Sequence, residues 1–383
     1  MAQDSAALLR TPLHETHRGL DARLVPFAGW EMPLQYAGIL AEVRAVRTAL
    51  GLFDVSHMGR LRFEGPGGVA LLDRLLTAPV RALAPGRARY CFLLNDDGGI
   101  IDDVVVYRLA PTPEVEERLM VVCNASNRGA VVAWIGNHWG DEPELTLCDL
   151  TLETAMVAVQ GSGAAAALDS LLGPGGPSGL RPFGVEERSA RLGDVTDPVP
   201  VLVSRTGYTG ENGFEVVVPG EAAGALWRAL MELGGVPCGL GARDVLRLEA
   251  GLRLHGTDMD AAATPLEAAL ERFVSMDKEG GFVGRDALAR QAAGGLRRTL
   301  VGFVMRDRAI PRHGYAIQAV EGGPRVGEVT SGSHSPTLDS DIGMGYVPVE
   351  LGDPGTPIVV DIRGRPALAD VVALPFYRRR SVS

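Results

Sequence analysis

Two textures in one chain predict an α+β fold that ends in a small all-β barrel or sandwich. Before Gly280, short apolar strands are interspersed with amphipathic helices. From Leu300 onward the chain breaks into short apolar runs between Gly and Pro turns: LVGFVM, GYAIQAV, VGEVTSG, IGMGYV, IVVDIRG and ALADVVAL. A third observation is the segment YCFLLNDDGGIIDDVVVYRL, Tyr90 to Leu109, where two apolar runs flank hairpin turn residues.

Composition narrows the class. The chain has 383 residues, 46% hydrophobic and 22% charged, enough for two or three domains with cores of their own. The net charge is −10, and the basic residues are scattered except at Arg378 to Arg380, which excludes the basic face that nucleic acid requires. Cys91, Cys123, Cys148 and Cys238 show no CxxC spacing, so neither a zinc ribbon nor a redox motif is expected. With no secretory segment at the start, a reducing cytoplasm is the expected location. No apolar run is long enough to span a membrane. Lys278 is the only lysine and lies in the polar stretch MDKEGGF, where a solvated surface role is expected. A pyridoxal-phosphate enzyme would depend on that residue alone, so none is expected.

In chain order, residues 1–10 read as a frayed start. His14 and His17 lack a third ligand nearby, so they read as polar or hydrogen-bonded histidines, and no metal is expected. Leu24 to Tyr36 reads as a strand and a packed loop. Ala41 to Leu50 is helical by its spacing of Val43, Val46 and Leu50. Gly51 to Phe63 reads as loop then strand, Val69 to Leu76 as helix, and Arg118 to Cys123 as strand. Asn124 or Ser126 is expected to cap a helix running towards Trp139. Ala155 to Gln160 is a strand leading through GSGA into an alanine-rich helix; no acidic residue follows at the distance a dinucleotide site needs. Gly173 to Gly179 is a flexible link. Two strands, PVLVSR and GFEVVV, surround Thr206 to Gly213. Helices follow at Ala222 to Leu233 and Gly239 to Leu254, and Gly280 to Gly295 is the expected boundary before the β-rich end.

The acid pair Asp102 and Asp103 is the odd feature of the hairpin. Asp is disfavoured in strands, and a charge facing a core is costly unless paired. Side chains alternate along a strand, so Asp103 shares a face with Val105 and Tyr107, and Asp102 with Val104 and Val106. One acid can be solvated; the other then looks inward. A solvated strand end and an inward functional acid both remain open readings at this point.

Four stretches bear on the choice together: GGIIDD (98–103), YTGENGFE (208–215), ARDVLRLEAG (242–251) and GEVTSG (327–332). In this order, with FAGW and FDVSHMG ahead of them, the chain resembles the aminomethyltransferase family, the T-proteins of the glycine cleavage system, from about Thr11 to Phe376. The resemblance implies a three-domain, cloverleaf-like folate-binding fold, with residues 1–290 as two interleaved α+β subdomains and 298–378 as the C-terminal barrel. It implies transfer of the aminomethyl carbon from the lipoyl arm of H-protein to tetrahydrofolate as 5,10-methylenetetrahydrofolate, with release of ammonia. It also implies site residues. Asp103 matches the catalytic acid, which would stabilise cationic character at the reacting folate nitrogen. Glu215 matches the carboxylate that pairs with the N–H edge of the pterin. Arg243 matches a folate-binding arginine, reaching the pterin carbonyl or holding Glu215. Tyr90, Tyr107 and Tyr208 match pocket tyrosines suited to flat rings. Asn124, Met58 and Gln160 are expected along the channel.

Rivals share the scaffold. A tetrahydrofolate-dependent demethylase would use the same folate residues. A non-catalytic iron–sulfur assembly factor would carry a Cys-containing motif where this chain reads RTGYTGE (205–211). A flavin-linked sarcosine dehydrogenase would need an added domain.

Overall fold

A computed structural model describes residues 7–173, 175–193, 195 and 197–379. The elements in order are α1 (His14–Gly19), β1 (Arg23–Phe27), β2 (Trp30–Gln35), α2 (Ile39–Thr48), β3 (Gly51–Asp54), β4 (Gly59–Glu64), α3 (Gly68–Leu75), β5 (Arg87–Leu94), β6 (Ile100–Arg108) and β7 (Arg118–Cys123). There follow α4 (Arg128–Asn137), β8 (Thr146–Asp149), β9 (Thr154–Gln160), α5 (Ala164–Leu172), β10 (Val185–Ala190), β11 (Val199–Ser204), β12 (Gly213–Pro219), α6 (Ala223–Glu232), β13 (Val236–Pro237) and α7 (Leu240–Glu249). The last are α8 (Arg285–Gly294), β14 (Arg298–Met305), β15 (Ala316–Gln318), β16 (Arg325–Ser335), β17 (Ser340–Pro348), β18 (Pro357–Ile362) and β19 (Arg365–Val372).

A five-stranded sheet runs β5-β6-β7-β4-β8, a six-stranded sheet runs β10-β11-β12-β9-β3-β13, and β14-β17-β16-β15-β18-β19 close into a barrel. Alternation along the strands sorts the core into layers. Val104, Val106, Leu119 and Val121 leave one face of the five-stranded sheet to meet α3 and α4. Phe214, Val216 and Val218 leave the far face of the six-stranded sheet to meet α5 and α6, with Trp227 fully buried. The two remaining faces turn towards each other: Tyr107, Met120 and Val122 pack with Phe53, Met156 and Ala158, joined by Val43 and Val46 of α2 and Ala242, Val245 and Leu246 of α7.

Several local expectations are corrected. The stretch after β1 is a second hairpin strand, and Leu9 of the expected frayed start hydrogen-bonds across to Gly29 and Glu31; residues 1–6 lie outside the described part. Gly51 to Asp54 is a buried strand, not a loop, because it pairs with β9 in mid-sheet. β8 and β10 lacked a strong apolar run and are edge strands. The helix expected over 239–254 stops at Glu249, and the expected boundary at 280–295 contains α8. Of the Gly173 to Gly179 link, residue 174 lies outside the described part, and Pro177 to Gly179 forms one turn of 3-10 helix.

Lys278 is corrected too. Its side chain is buried, and its ammonium donates to the carbonyls of Asp73, Leu76 at 2.7 Å and Ala78 at 3.1 Å. The cation closes the C-terminal end of α3, where carbonyls lack helical partners and the helix dipole favours positive charge.

The barrel is keyed to α7 by a buried ion pair. Arg247 donates to Asp258 at 2.5 Å and to Ser331 at 2.8 Å, and Asp258 accepts from Thr330 at 2.5 Å and Ser331 at 2.7 Å. The TS of GEVTSG is thus an inter-element clamp. Removing one partner strands a buried charge, so Asp258→Ala is expected to cost about 3–5 kcal/mol. Urea unfolding should show a lower midpoint for it, largely recovered in Arg247→Met/Asp258→Leu.

Candidate active site

The site forms where the five-stranded sheet, the six-stranded sheet and α7 converge. β6 reaches it through an unusual turn. Gly98 has a φ of +83°, and a Cβ on Gly99 would lie 1.9 Å from the carbonyl oxygen of Ala261. That close approach lets Ile100 N–H bond the carbonyls of Asp260 and Ala263, docking the strand start on the segment after α7.

Both acids are inside. The expectation that one of them is solvated fails because the sheet is covered on both faces. Asp102 is fully buried on the α4 side, where its carboxylate accepts from Asn124 N–H at 2.9 Å, Asn124 Nδ2 at 2.8 Å and Asn127 Nδ2 at 2.7 Å. Asp103 faces the space between the sheets with Val105 and Tyr107, as alternation requires. It accepts from Tyr90 Oη at 3.0 Å and Asn124 Nδ2 at 2.8 Å. Burial, and then the charge of Asp103, push the Asp102 carboxyl up to about 7. Burial also raises Asp103, opposed by His255, Tyr90 and Asn124. Asn124 is therefore no helix cap: its side chain is spent between the two acids.

Opposite, Glu215 stands on β12 between Ser204 of β11 and Ala158 of β9. Its carboxylate accepts from Thr206 Oγ1 at 2.5 Å; burial raises its pKa while Thr206 and Arg243 lower it. Arg243 lies on the first turn of α7 with its guanidinium 4.7 Å above the Tyr208 ring. Its Nη1 is buried without a hydrogen-bond partner, so it does not hold Glu215 directly. Tyr208 donates to the Arg253 carbonyl and feels the charges of both Asp103 and Arg243, joining the two halves of the site. The Tyr107 hydroxyl is likewise buried and makes no well-aligned hydrogen bond among the described residues, although the Ser204 and Thr206 hydroxyls, which bond each other and Glu215, stand beside it. Tyr90 packs edge-on against Phe273 at 4.8 Å. Met58 is half-buried against the core between the sheets.

Gln160 does not line this space. It is fully buried, donating to the carbonyls of Thr206 and Phe214 and accepting from Thr209, and so it fixes the loop that carries Tyr208. Arg47 holds the same loop from outside through the Thr209 carbonyl at 2.7 Å and Glu211 at 2.9 Å.

Sequence reasoning passed over three residues. His57 is buried in FDVSHMG with an unpartnered Nδ1, and burial pushes its pKa down to about 4. Asn127, three residues past Asn124, carried a spacing signal. His255 carried none.

The proton linkage has a definite sign. A carboxyl raised in the folded state binds protons more tightly there than in the unfolded chain, so stability falls as pH rises from about 4 towards the folded value near 7. Asp103→Asn removes the repulsion yet keeps the contacts: its oxygen accepts from Asn124, and its N–H donates to the Tyr90 oxygen. The variant should melt above wild type at pH 8, with the gap closing towards pH 4. A lower melting point at pH 8 would contradict the pairing.

Comparison with known proteins agrees with this architecture. Residues 13–278 match the GCVT N-terminal domain, and residues 298–378 match the glycine cleavage T-protein C-terminal barrel domain. The chain is 48% identical to an aminomethyltransferase of Rubrobacter xylanophilus, over 97% of this chain and 95% of that one. It is 45% identical to one from Symbiobacterium thermophilum, over 97% and 98%. The crystal structure of glycine cleavage system aminomethyltransferase T from Bartonella henselae superposes with a TM-score of 0.88 at 36% identity, covering 97% of this chain and 99% of that one. The chain belongs to the glycine cleavage T-protein family of aminomethyltransferases.

Proposed function

We propose that this aminomethyltransferase takes the aminomethyl carbon from the lipoyl arm of H-protein, releases ammonia, and passes the carbon to tetrahydrofolate. The observation that carries the assignment to this site is the gathering of Asp103, Glu215, Arg243 and three tyrosines in one buried neighbourhood, with Tyr107 Oη, Arg243 Nη1 and His57 Nδ1 unpartnered among the described residues. Buried polar atoms without partners are rare, and a ring edged with donors and acceptors satisfies them. Tetrahydrofolate, when bound, supplies the two nitrogens that hold the carbon in 5,10-methylenetetrahydrofolate.

In this reading each residue has a task. Glu215 accepts from the N–H edge of the pterin, and Arg243 and the Tyr107 hydroxyl donate to acceptors on the same ring system. Tyr208, fixed beneath Arg243, and Tyr90 present faces and edges to flat rings. Met58 completes the apolar wall, and Asn124 holds both acids. Asp103 is aimed inward by two donors, and Asp102 stands next to it on the strand. When ionised, this pair in its dry setting forms a preorganised negative field, which stabilises positive charge developing on the transferred carbon and nitrogen. Neither a metal nor pyridoxal phosphate has a part in this reading. A cytoplasmic location accords with the chemistry.

Turnover tests the assignment directly. Given tetrahydrofolate and aminomethylated H-protein, the enzyme should release ammonia, which a folate-dependent demethylase would not. Asp103→Asn should lower kcat by roughly 10²-fold with little change in KM for folate, the mark of a lost transition-state interaction. A near wild-type kcat would remove Asp103 from the chemistry. Glu215→Ala should weaken tetrahydrofolate binding by about 1.5–3 kcal/mol. Calorimetric titration with unchanged affinity would place Glu215 outside the pocket. Added salt should raise KM for H-protein more than KM for folate, because exposed docking charges are screened.

A further inference from the structure

His255 lies in the segment after α7, and Asn127 lies just before α4. Neither has a task in the reading above. His255 Nε2 is 3.0 Å from the Ile100 carbonyl oxygen. That oxygen can only accept, so Nε2 carries a hydrogen, while Nδ1 faces the Asn127 amide nitrogen as an acceptor. Asn127 Nδ2 donates to Nδ1 at 2.8 Å and to Asp102 Oδ1 at 2.7 Å. Asn124 Nδ2 then donates to Asp102 Oδ1 and to Asp103 Oδ1, each at 2.8 Å.

The result is one chain of contacts: imidazole, amide, carboxylate, amide, carboxylate. Each amide nitrogen has two hydrogens and makes two short contacts, 2.7 to 2.8 Å; a backbone carbonyl, Ile101 for Asn127 and Asp103 for Asn124, lies farther off at 3.3 Å. Flipping either amide would set its oxygen against a carboxylate oxygen, so the orientation of each member is fixed by the next. The far end returns to β6 itself at Ile100, two residues before the acid pair. His255 therefore closes a loop of contacts around the strand end that carries both acids.

We propose that His255, acting through Asn127, is a positioning residue that holds the Asp102–Asn124–Asp103 array in register without touching substrate. This rests on the reading that Asp103 acts in carbon transfer. Without the Nδ1 acceptor, the Asn127 amide loses one of its two short contacts and can turn towards the Ile101 carbonyl at 3.3 Å. Asp102 then loses the full strength of one of its three donors, and the shared Asn124 can drift from Asp103. The folate-binding side, Glu215 and Arg243, is untouched. The defect should thus appear in turnover and not in folate binding.

The test compares wild type, His255→Phe, His255→Asn and Asp103→Asn for ammonia release and for KM of tetrahydrofolate, with melting curves. His255→Phe keeps the ring bulk and removes both nitrogens. His255→Asn can place its amide oxygen near the Nδ1 position. His255→Phe should lower kcat about tenfold or more, as misplacement of a reacting group does. Its KM for folate should stay within about twofold, and His255→Asn should regain most of the loss. If His255→Phe does not fold, Asn127→Ala breaks the same link and should show the same split. Wild-type kcat in the folded disrupting variant overturns the proposal. So do deficits in His255→Phe and His255→Asn that match each other and track their melting points. A loss in Asp103→Asn with none on breaking the link sinks this inference alone. Full turnover in Asp103→Asn sinks the reading on which it rests, and the inference with it.

Discussion

Two adjacent carboxylates on one strand cannot both reach water when the strand is covered on both faces. Much of the site follows from that constraint. Asp102 is driven under the start of α4, where N–H groups gather. Asp103 is driven into the space between the sheets, where Tyr90 and Asn124 meet it. Each carboxylate is costly alone and more so beside the other. The surrounding donors offset part of that cost, and among the described residues no counter-ion touches either acid.

What the sequence made legible was what depends on period and local chemistry. The six barrel strands, the 90–109 hairpin and the face shared by Asp103 and Tyr107 all follow from two-residue alternation and turn residues. The helices at 39–48, 68–75 and 223–232 follow from apolar spacing. The misses are of another kind. β3 is short and pairs in mid-sheet with strands distant in sequence, so nothing local marks it. Lys278 looks solvated among polar neighbours, yet its partners are carbonyls some two hundred residues earlier. Asn124 has the look of a cap and serves two acids on another strand instead. Site residues that carry unusual chemistry for their context, such as Asp in a strand, stood out. His255 did not, and Gln160, expected along the channel, instead fixes a loop, because the meaning of both lies in partners brought together only by the fold.

α7 is the member through which the parts communicate. Its first turn presents Arg243 to the site, its apolar face joins the core between the sheets, and Arg247 enters the barrel clamp. Its last residue, Glu249, is fully buried and accepts from Arg47, Ser335 and Thr337. A single helix of ten residues thus ties the loop carrying Tyr208, the barrel and Arg243. Displacing the barrel would therefore move Arg243, although no barrel side chain bonds it.

The buried Lys278 has a consequence for handling the molecule. The chain's one lysine spends its ammonium on the end of a helix. Amine-seeking reagents, lysine-selective proteases and enzymes that acylate lysine side chains find no exposed lysyl target on the native fold. Lysine-directed attachment at Lys278 therefore requires that α3 and the 275–281 segment first come apart, which makes any label at that position a record of opening and not of surface accessibility.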